Sequence, residues 1–343
     1  MKKHKVTITD VALEAGVSES TVSRSFSSPD LLHPETRLRV LDVARRMEYV
    51  PNRQARSLAT GTTGNFGLVV PDVMNPFFPP FIKAAQARAR ENDRDVFLAD
   101  SDEDPLVESL VLKRLSKRVD GLLLCASRVP DAFLLELADE MPVVLFNRAV
   151  PGLASVLFDE ANGMRQAVEH LVALGHQRIG YVGGPVQSWA DERRRAGLRE
   201  AAEEFTVSLV DLGPHVPTWE AGVQAADKVL AASVTAVVVF DDTMAIGVMS
   251  RLAARGVRVP EDVSVVGHDN IAMAPMWHPS LTTIDVKCGP AGRAATDLLL
   301  GMPVGGPTTQ AALSAESSLV LPVQLMIRDS TGPTEESRTP TRQ

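Results

Sequence analysis

Apolar residues recur at helical spacing near the start of the chain and give way to short continuous runs further on. Ile8, Val11, Ala12 and Ala15 fall three and four residues apart, which places them on one face of a helix. Thr7 caps that helix, with Asp10 at the third position, and Gly16 stops it. Ser18 caps a second, short helix. Its Val22 turns back toward the first helix, while Glu19, Ser20, Ser23 and Arg24 share an outward arc. Pro34-Glu35-Thr36 opens a third helix, with Pro in the first turn where its missing N–H costs little. Val40, Leu41, Ala44 and Met47 give this helix an apolar stripe that can close a three-helix core. Then comes Tyr49-Val50-Pro51-Asn52-Arg53-Gln54-Ala55-Arg56-Ser57-Leu58-Ala59-Thr60-Gly61. Pro51 ends the third helix, Asn52 can cap a new one and Gly61 can end it. A helix that short does not hold by itself in water, and Leu58 on it has no obvious core to join.

Beyond Gly61 the period changes. Strand-like runs at 66–70, 95–99, 119–125 and 143–146 alternate with amphipathic helices, the first at 77–89. The pattern then repeats, with strands at 176–183, 208–212, 236–240, 264–266 and 282–284 and a helix at 191–203. The fold class this predicts is an all-α head followed by an α/β body of two doubly wound parallel-sheet lobes. Ligands of such sheets bind at the carboxyl ends of the strands, here in a cleft between lobes. The first crossover between lobes falls near 158–163. The divisions are residues 1–48 for the head, 49–61 for a hinge, 62–330 for the body and 331–343 for a polar tail read as disordered.

A chain of 343 residues fits two or three domains, and 45% hydrophobic residues can build a sizeable core. No run approaches the roughly 20 apolar residues of a membrane span. The basic start has no apolar stretch after it, which argues against a signal peptide. Cys125 and Cys288 are the only cysteines and lack metal-ligand spacing, so a reducing cytoplasm is the expected location. The net charge of −8 argues against a nucleic-acid partner until its distribution is counted. Residues 1–60 hold ten Lys and Arg against seven Asp and Glu, so the head carries +3 and the remainder −11. A basic head on an acidic body orients the head toward phosphates.

A short helix presenting small polar groups and one Arg suits the major groove of double-stranded DNA, although an ordinary helical hairpin would show the same outer face. On the DNA reading, Glu19 and Ser20 select bases, Glu19 favouring cytosine N4. Arg24 meets a guanine edge or a phosphate, and Ser18, Thr21 and Ser23 fix the head on phosphates. Thr9, Tyr49, Asn52, Arg53, Arg56 and Leu58 complete the expected contact set. No nucleophile elbow, phosphate loop or His-Glu-x-x-His is present, and Gly183-Gly184-Pro185 is a weak phosphate hint. The chain is therefore read as a non-enzyme with no cofactor and no metal. Candidates for the cleft all follow predicted strands: Asp72, Phe77, Phe78, Asn147, Asp159, Arg194, Asp241 and Asp269. Carboxylates, amides and Arg grip vicinal hydroxyls, and an aromatic face stacks on the apolar side of a sugar. An Asp after a strand is also a common helix cap, so Asp241 or Asp242 could serve the helix through Val248 alone.

The blocks Ala15-Gly16-Val17-Ser18, Thr21-Val22-Ser23-Arg24 and Tyr49-Val50-Pro51-Asn52 stand in order with three more. Those are Asn75-Pro76-Phe77-Phe78, Leu174-Gly175-His176-Gln177-Arg178-Ile179 and Val259-Pro260-Glu261-Asp262-Val263-Ser264-Val265-Val266-Gly267. From about Thr7 to Arg328 the chain resembles the lactose/galactose-repressor family of bacterial transcriptional regulators. The resemblance implies a repressor-type homodimer on a pseudo-palindromic operator, with a hinge helix that forms on DNA and drives Leu58 into the minor groove. It implies a small effector in the cleft, with Phe77, Phe78, Arg194 and Asp269 lining it and Asn147, Asp159 and Asp241 next. It implies further crossovers near 284–289 and 321–324, so that one lobe takes 62–160 and 290–320 and the other 161–289 and 321–330, like periplasmic sugar-binding proteins. Asp241-Asp242 stands where the family has Asn-Asp, and an acidic edge there disfavours a phosphorylated or carboxylated effector. Ser188-Trp189-Ala190 lacks a polar pair used by purine-responsive members, and His215 or Trp219 can supply an aromatic wall. A neutral sugar is the expected effector. No Leu heptad follows Arg328, so assembly is expected to stop at a dimer. A transport-type sugar-binding protein would share the body but lack the head, and a regulator whose cleft no longer binds a ligand is the second alternative.

Overall fold

The computed structural model describes residues 6–27, 31–50, 62–303 and 318–335. The chain divides into a small unit, Met1–Gly64, and a large one, Asn65–Gln343.

In the small unit, α1 (Ile8–Ala15), α2 (Glu19–Ser27) and α3 (Pro34–Arg46) follow the apolar periodicity. Thr7 and Asp10 form a reciprocal capping box: the Asp10 N–H donates to Thr7 Oγ1 (3.4 Å) and the Thr7 N–H to Asp10 Oδ2 (2.8 Å). Gly16 ends α1 at φ 64°, where a side chain would be strained. Val11, Ala12, Ala15, Val22, Val40, Val43 and Ala44 form the core. Val43 is buried, whereas Leu41, assigned to the stripe from sequence, is only half-buried.

The large unit holds two six-stranded sheets. The first contains β1 (Asn65–Val70), β2 (Asp95–Asp100), β3 (Gly121–Cys125), β4 (Val143–Phe146), β5 (Ala154–Phe158) and β11 (Ser318–Leu321), in the order β11-β5-β4-β3-β1-β2. The second contains β6 (Arg178–Gly183), β7 (Ser208–Pro214), β8 (Ala236–Val239), β9 (Ser264–Asp269), β10 (Thr282–Asp285) and β12 (Gln324–Met326), in the order β12-β10-β9-β8-β6-β7. Pairing is parallel throughout except between β10 and β12. Helices connect the strands: α4 (Phe78–Glu91), α5 (Pro105–Leu115), α6 (Asp131–Glu140), α7 (Glu160–Ala173), α8 (Trp189–Glu204), α9 (Trp219–Ala231), α10 (Asp242–Ala254) and α11 (Cys288–Leu300).

The continuous apolar runs have a direct cause. Leu68 and Val70 of β1 join Leu123 and Cys125 of β3 in one core cluster with Phe81 and Ile82 of α4. Val69, Leu122 and Leu124 point the other way, to Leu112 of α5 and Leu134 of α6. Both faces of the sheet are covered, so every position must be apolar. The chain passes between sheets after β5, β10 and β11. Asp159 N–H donates to the Leu321 carbonyl (3.0 Å), which holds two of these passages side by side.

The start of the polar tail departs from its reading as disordered. The Val265 N–H donates to the Ser330 carbonyl (2.8 Å), and the Ser330 hydroxyl donates back to the Val265 carbonyl (2.6 Å). The Gly332 N–H donates to Ser264 Oγ (3.0 Å), and the Thr334 N–H to the Leu174 carbonyl (3.0 Å). Composition signals disorder only when the backbone has no partner, and here residues 330–334 strap the base of the second sheet.

Candidate functional site

In the head, Glu19, Ser20, Ser23 and Arg24 are exposed on α2, while Val22 is fully buried. Ser18 Oγ accepts from the Thr21 N–H (3.2 Å) and lies 2.8 Å from Ser20 Oγ and 2.9 Å from Thr21 Oγ1. This hydroxyl cluster crowns the N-terminus of α2, where the helix dipole favours a phosphate. Thr9 Oγ1 donates to Glu19 Oε1 (2.7 Å), so the carboxylate expected to stand free for a base edge is braced from α1. Tyr49 differs from its expected DNA role: it is half-buried, with its ring centroid 6.1 Å from that of Phe26. Asn52, Arg53, Arg56 and Leu58 lie outside the described residues.

In the large unit, a cleft opens at the carboxyl ends of the strands of both sheets. Its lining includes Asn75, Phe77, Phe78, Glu103, Arg128 and Asn147 from the first lobe. Ser188, Arg194, Phe240, Asp241 and Asp269 line it from the second. Four lining residues, Glu103 (φ 58°), Ala126 (φ 43°), Asn147 (φ 55°) and Asp269 (φ 105°), hold left-handed backbone without being glycine. Strain of this kind collects where side chains must be aimed at a ligand. The cleft encloses about 40 Å³. That is room for one or two waters, far below the roughly 300–1,000 Å³ of small-ligand sites. Larger hollows of about 430 Å³ beside His176 and about 700 Å³ beside Trp277 lie elsewhere. The chemistry nevertheless favours the cleft. Asn147 Oδ1 and Asp241 Oδ2 are buried there with no hydrogen-bond partner among the described residues, whereas both ring nitrogens of His176 are bonded.

The first-lobe wall is aromatic. Phe77 packs edge-on to Phe78 (centroids 5.0 Å) and stacks on Phe146 (5.8 Å), which stacks in turn on Phe81 (4.1 Å). The second-lobe wall is ionic. Arg194 Nε and Nη2 donate to Glu160 Oε2 (3.0 Å) and Oε1 (3.2 Å), and Nη1 donates to the Phe240 carbonyl. Arg194 Nη2 stands 3.8 Å from Asp269 Oδ1, and the guanidinium lies 4.7 Å from the Phe240 ring centre. Gly184 admits that ring: a Cβ there would sit 2.5 Å from it. His268 is bonded on both sides, Nδ1 to Asp269 Oδ1 (2.9 Å) and Nε2 to Glu160 Oε2 (2.9 Å).

Burial alone would raise the Glu160 pKa, but Arg194 and His268 overcome it and hold the carboxyl at about 2. Burial, reinforced by Asp269, pushes Asp241 up to about 7. Burial also lifts Asp242 well above the carboxylate range. For His268, burial and Arg194 push the pKa down, yet Glu160 and Asp269 outweigh them and the net shift is upward.

Several sequence-predicted residues stand elsewhere. Asp159 caps α7, accepting from the Asn162 N–H (3.2 Å), and it is the next residue, Glu160, that enters the buried cluster. Asp72 accepts from the Met74 N–H (2.7 Å) and leaves the lining to Pro71 and Asn75. Trp219 starts α9 and is 42% exposed, so Pro217 lines the cleft in its place, and His215 is also absent from the lining. Asp241 both caps α10, accepting from the Met244 N–H (2.7 Å), and lines the cleft. Asp242 is not part of an acidic pocket edge: it accepts from the Ile271 N–H (2.9 Å) and from Thr283 Oγ1. Of the Arg193-Arg194-Arg195 run, Arg195 is held by Asp191 and Asp211 and Arg193 lies over the Trp189 ring. Sequence reasoning missed Glu160, His268 and the Glu103–Arg128 ion pair. The only signals were adjacency, Glu160 to Asp159 at the crossover and His268 to Asp269.

A three-helix head with a helix-turn-helix, followed in sequence by a two-lobed α/β body with a ligand cleft, defines a ligand-responsive DNA-binding regulator. Residues 7–52 match the bacterial regulatory proteins of the lacI family, and residues 168–331 match a periplasmic binding protein-like domain. The HTH-type transcriptional regulator DegA of Bacillus subtilis is 33% identical over 96% of this chain and 99% of its own. The HTH-type transcriptional repressor CytR of Escherichia coli is 32% identical over 95% of this chain and 96% of its own. The lac repressor dimer bound to operator and the anti-inducer ONPF matches with a TM-score of 0.82 and 27% identity, covering 96% of this chain and 100% of that one. The CelR–cellobiose complex matches with a TM-score of 0.69 and 28% identity, covering 95% and 99%. The chain belongs to the lacI family of bacterial regulatory proteins and is a DNA-binding transcriptional regulator. No helix among the described residues is long and apolar enough to cross a membrane.

Proposed function

We propose that the protein is a cytoplasmic, non-enzymatic repressor that binds a pseudo-palindromic operator as a homodimer, and that a neutral sugar or polyol held between its lobes sets the operator affinity. The observation that carries the effector reading is the pair of buried, unbonded oxygens, Asn147 Oδ1 from the first lobe and Asp241 Oδ2 from the second, at one cleft. A buried acceptor without a donor costs about 1–3 kcal/mol, and a ligand hydroxyl on each would remove that cost at both lobes together. Such a ligand binds the closed form better than the open one, which is what a switch requires. Coupling of about 1–3 kcal/mol is enough for a useful response. Arg194 and His268 offset Glu160 and Asp269, so the site offers no surplus cation to a phosphate or carboxylate. Among relatives, CelR holds cellobiose and a regulator from Enterococcus faecium holds ribose.

For the dimer, Phe97 and Leu98 of β2 and Leu106 and Leu110 of α5 expose apolar surface on the first lobe of a protein whose structural neighbour is a dimer on operator. In the DNA reading, Glu19, Ser20 and Arg24 meet base edges, while Ser18, Thr21 and Ser23 meet phosphates. Asn52, Arg53, Arg56 and Leu58 belong to the hinge and act only on DNA. The test is a thermal-shift panel of the full chain with ribose, galactose, cellobiose and their phosphorylated or oxidised counterparts, followed by operator titration with each hit. A neutral sugar that raises the melting temperature and alters operator affinity supports the reading. Stabilisation by the anionic members alone would overturn it.

A further inference from the structure

We propose that His268 is a positioning residue of the effector site: its ring bridges Glu160 and Asp269, fixes Asp269 and Arg194 for the ligand, and makes ligand binding depend on a proton. This rests on the interlobe cleft being the effector site.

The hydrogen bonds decide the protonation of the ring. Nδ1 lies 2.9 Å from Asp269 Oδ1 and Nε2 lies 2.9 Å from Glu160 Oε2. An ionised carboxylate only accepts, and a neutral imidazole has one N–H, so both bonds form together only when the ring carries both protons. The ring has no solvent exposure. The surrounding charges agree. Glu160 at the start of α7 and Asp269 on β9 supply two negative charges, and Arg194 on α8 supplies one positive charge. The imidazolium completes a neutral buried set. From α10, Asp241 and Asp242 also face the ring, and burial keeps both protonated further up the pH scale than ordinary carboxyls. On neighbouring β10, Asp285 is paired with Lys287. From α11, burial and then Asp269 push the Cys288 thiol well up, so it stays neutral.

Loss of the ring proton leaves one carboxylate facing a nitrogen lone pair and one buried negative charge in excess. Asp269 is then no longer held beside Arg194. His268 has its pKa raised by Glu160 and Asp269, so the bridge outlasts the ordinary imidazole value and is lost as pH rises further. Effector affinity therefore falls on the alkaline side.

The experiment has two arms. In the full chain labelled with 15N-histidine, the His268 resonances, assigned by their absence in His268→Gln, are followed from pH 6 to 9 beside those of exposed His33 and His278. The imidazolium is expected to persist past pH 6.5, the ordinary imidazole value. A neutral ring at pH 6.5 overturns the inference. In the second arm, the panel sugar that raises the melting temperature most is titrated by calorimetry at pH 6 and 9. The fall in affinity from pH 6 to 9 is expected to be at least about tenfold greater in the parent, one pKa unit's worth, than in His268→Gln, where the Asp241 carboxyl, pushed up to about 7, still titrates. A bound sugar with the same pH profile in parent and variant overturns the inference alone. Failure of every sugar to bind at any pH overturns the effector reading and with it the link from ring to ligand, and the resonance titration separates that failure from a wrong assignment of the ring's charge.

Discussion

The two walls of the cleft hold their shape by opposite means. On the first lobe, Phe77, Phe78, Phe146 and Phe81 interlock by ring contact, and nothing in that stack titrates. On the second, Glu160, Arg194, His268 and Asp269 are buried to similar depth and hold each other by charge. Packing is indifferent to pH and loses energy in proportion to the atoms removed. A buried ionic set is worth little against a well-packed apolar one, yet it fails steeply when one member goes, because the rest become uncompensated charges. The aromatic wall is thus the fixed surface of the cleft, and the ionic wall is the part that a proton can alter.

Breaking each wall at its centre exposes the difference. Arg194→Ala strands Glu160 and the Phe240 carbonyl and should destabilise the body by about 3–5 kcal/mol at pH 7. Phe146→Ala should cost a similar amount, about 3–5 kcal/mol, through the cavity it leaves. The two part company in acid. Glu160 is held at about 2 when folded, below its ordinary 4.5. Its contribution is present above pH 4.5 and is lost as pH falls toward 2. The Arg194→Ala deficit should therefore shrink between pH 7 and pH 3, while that of Phe146→Ala stays constant. Urea unfolding of both variants and the parent at the two pH values measures this, and parallel behaviour would dissolve the contrast.

A smaller effect, of opposite sign, is expected at Asp241. Its carboxyl is raised from 3.8 to about 7, so between those values the unfolded chain has released a proton that the folded one keeps. Stability from this group therefore falls as pH rises through that window. Asp241→Asn keeps the cap on α10, since an amide oxygen can accept from the Met244 N–H, and removes the titration. At pH 8 the variant should be more stable than the parent by on the order of 2 kcal/mol, with the advantage vanishing near pH 4. Thermal unfolding across that range reads it directly. A variant less stable than the parent at pH 8 would mean that Asp241 is satisfied in the folded state and that the ionic wall carries no strain for a ligand to relieve.

The architecture was readable from period and breaker residues because those signals are local: the continuous runs of β1 and β3 mark a sheet covered on both faces, and Gly16 marks a turn. The cleft was readable only as far as the strand-end rule reaches. That rule brings Phe77, Phe78, Asn147, Asp241 and Asp269 to the cleft, and Arg194 follows from the family pattern. It cannot say which of two adjacent side chains turns inward. Asp159 caps a helix and Glu160 enters the buried cluster, a one-residue difference fixed by the turn into α7. His268 reads as a strand residue, and its meaning depends on Glu160, 108 positions away. The start of the tail, residues 331–334, was read as disordered for the same reason: its partners Ser264 and Leu174 are distant in sequence.

The mildest change sharpens the contrast most cleanly. Phe77 lines the cleft and touches both Phe78 and Phe146, so its ring serves the packing of this wall and borders the cleft. Phe77→Leu keeps an apolar group of nearly the same reach, and volume-conserving changes of this kind usually cost less than about 1.5 kcal/mol. What it deletes is the flat face. If a sugar ring stacks there, effector affinity should weaken by about 0.5–1.5 kcal/mol, roughly twofold to tenfold. Because no proton is involved, the loss should be the same at pH 6 and pH 9, even as the parent's affinity changes between them. Calorimetric titration of the variant at both pH values isolates the aromatic contribution from the ionic one. A loss that grows with pH would mean that Phe77 acts through the second lobe, and the two walls would then be one coupled unit.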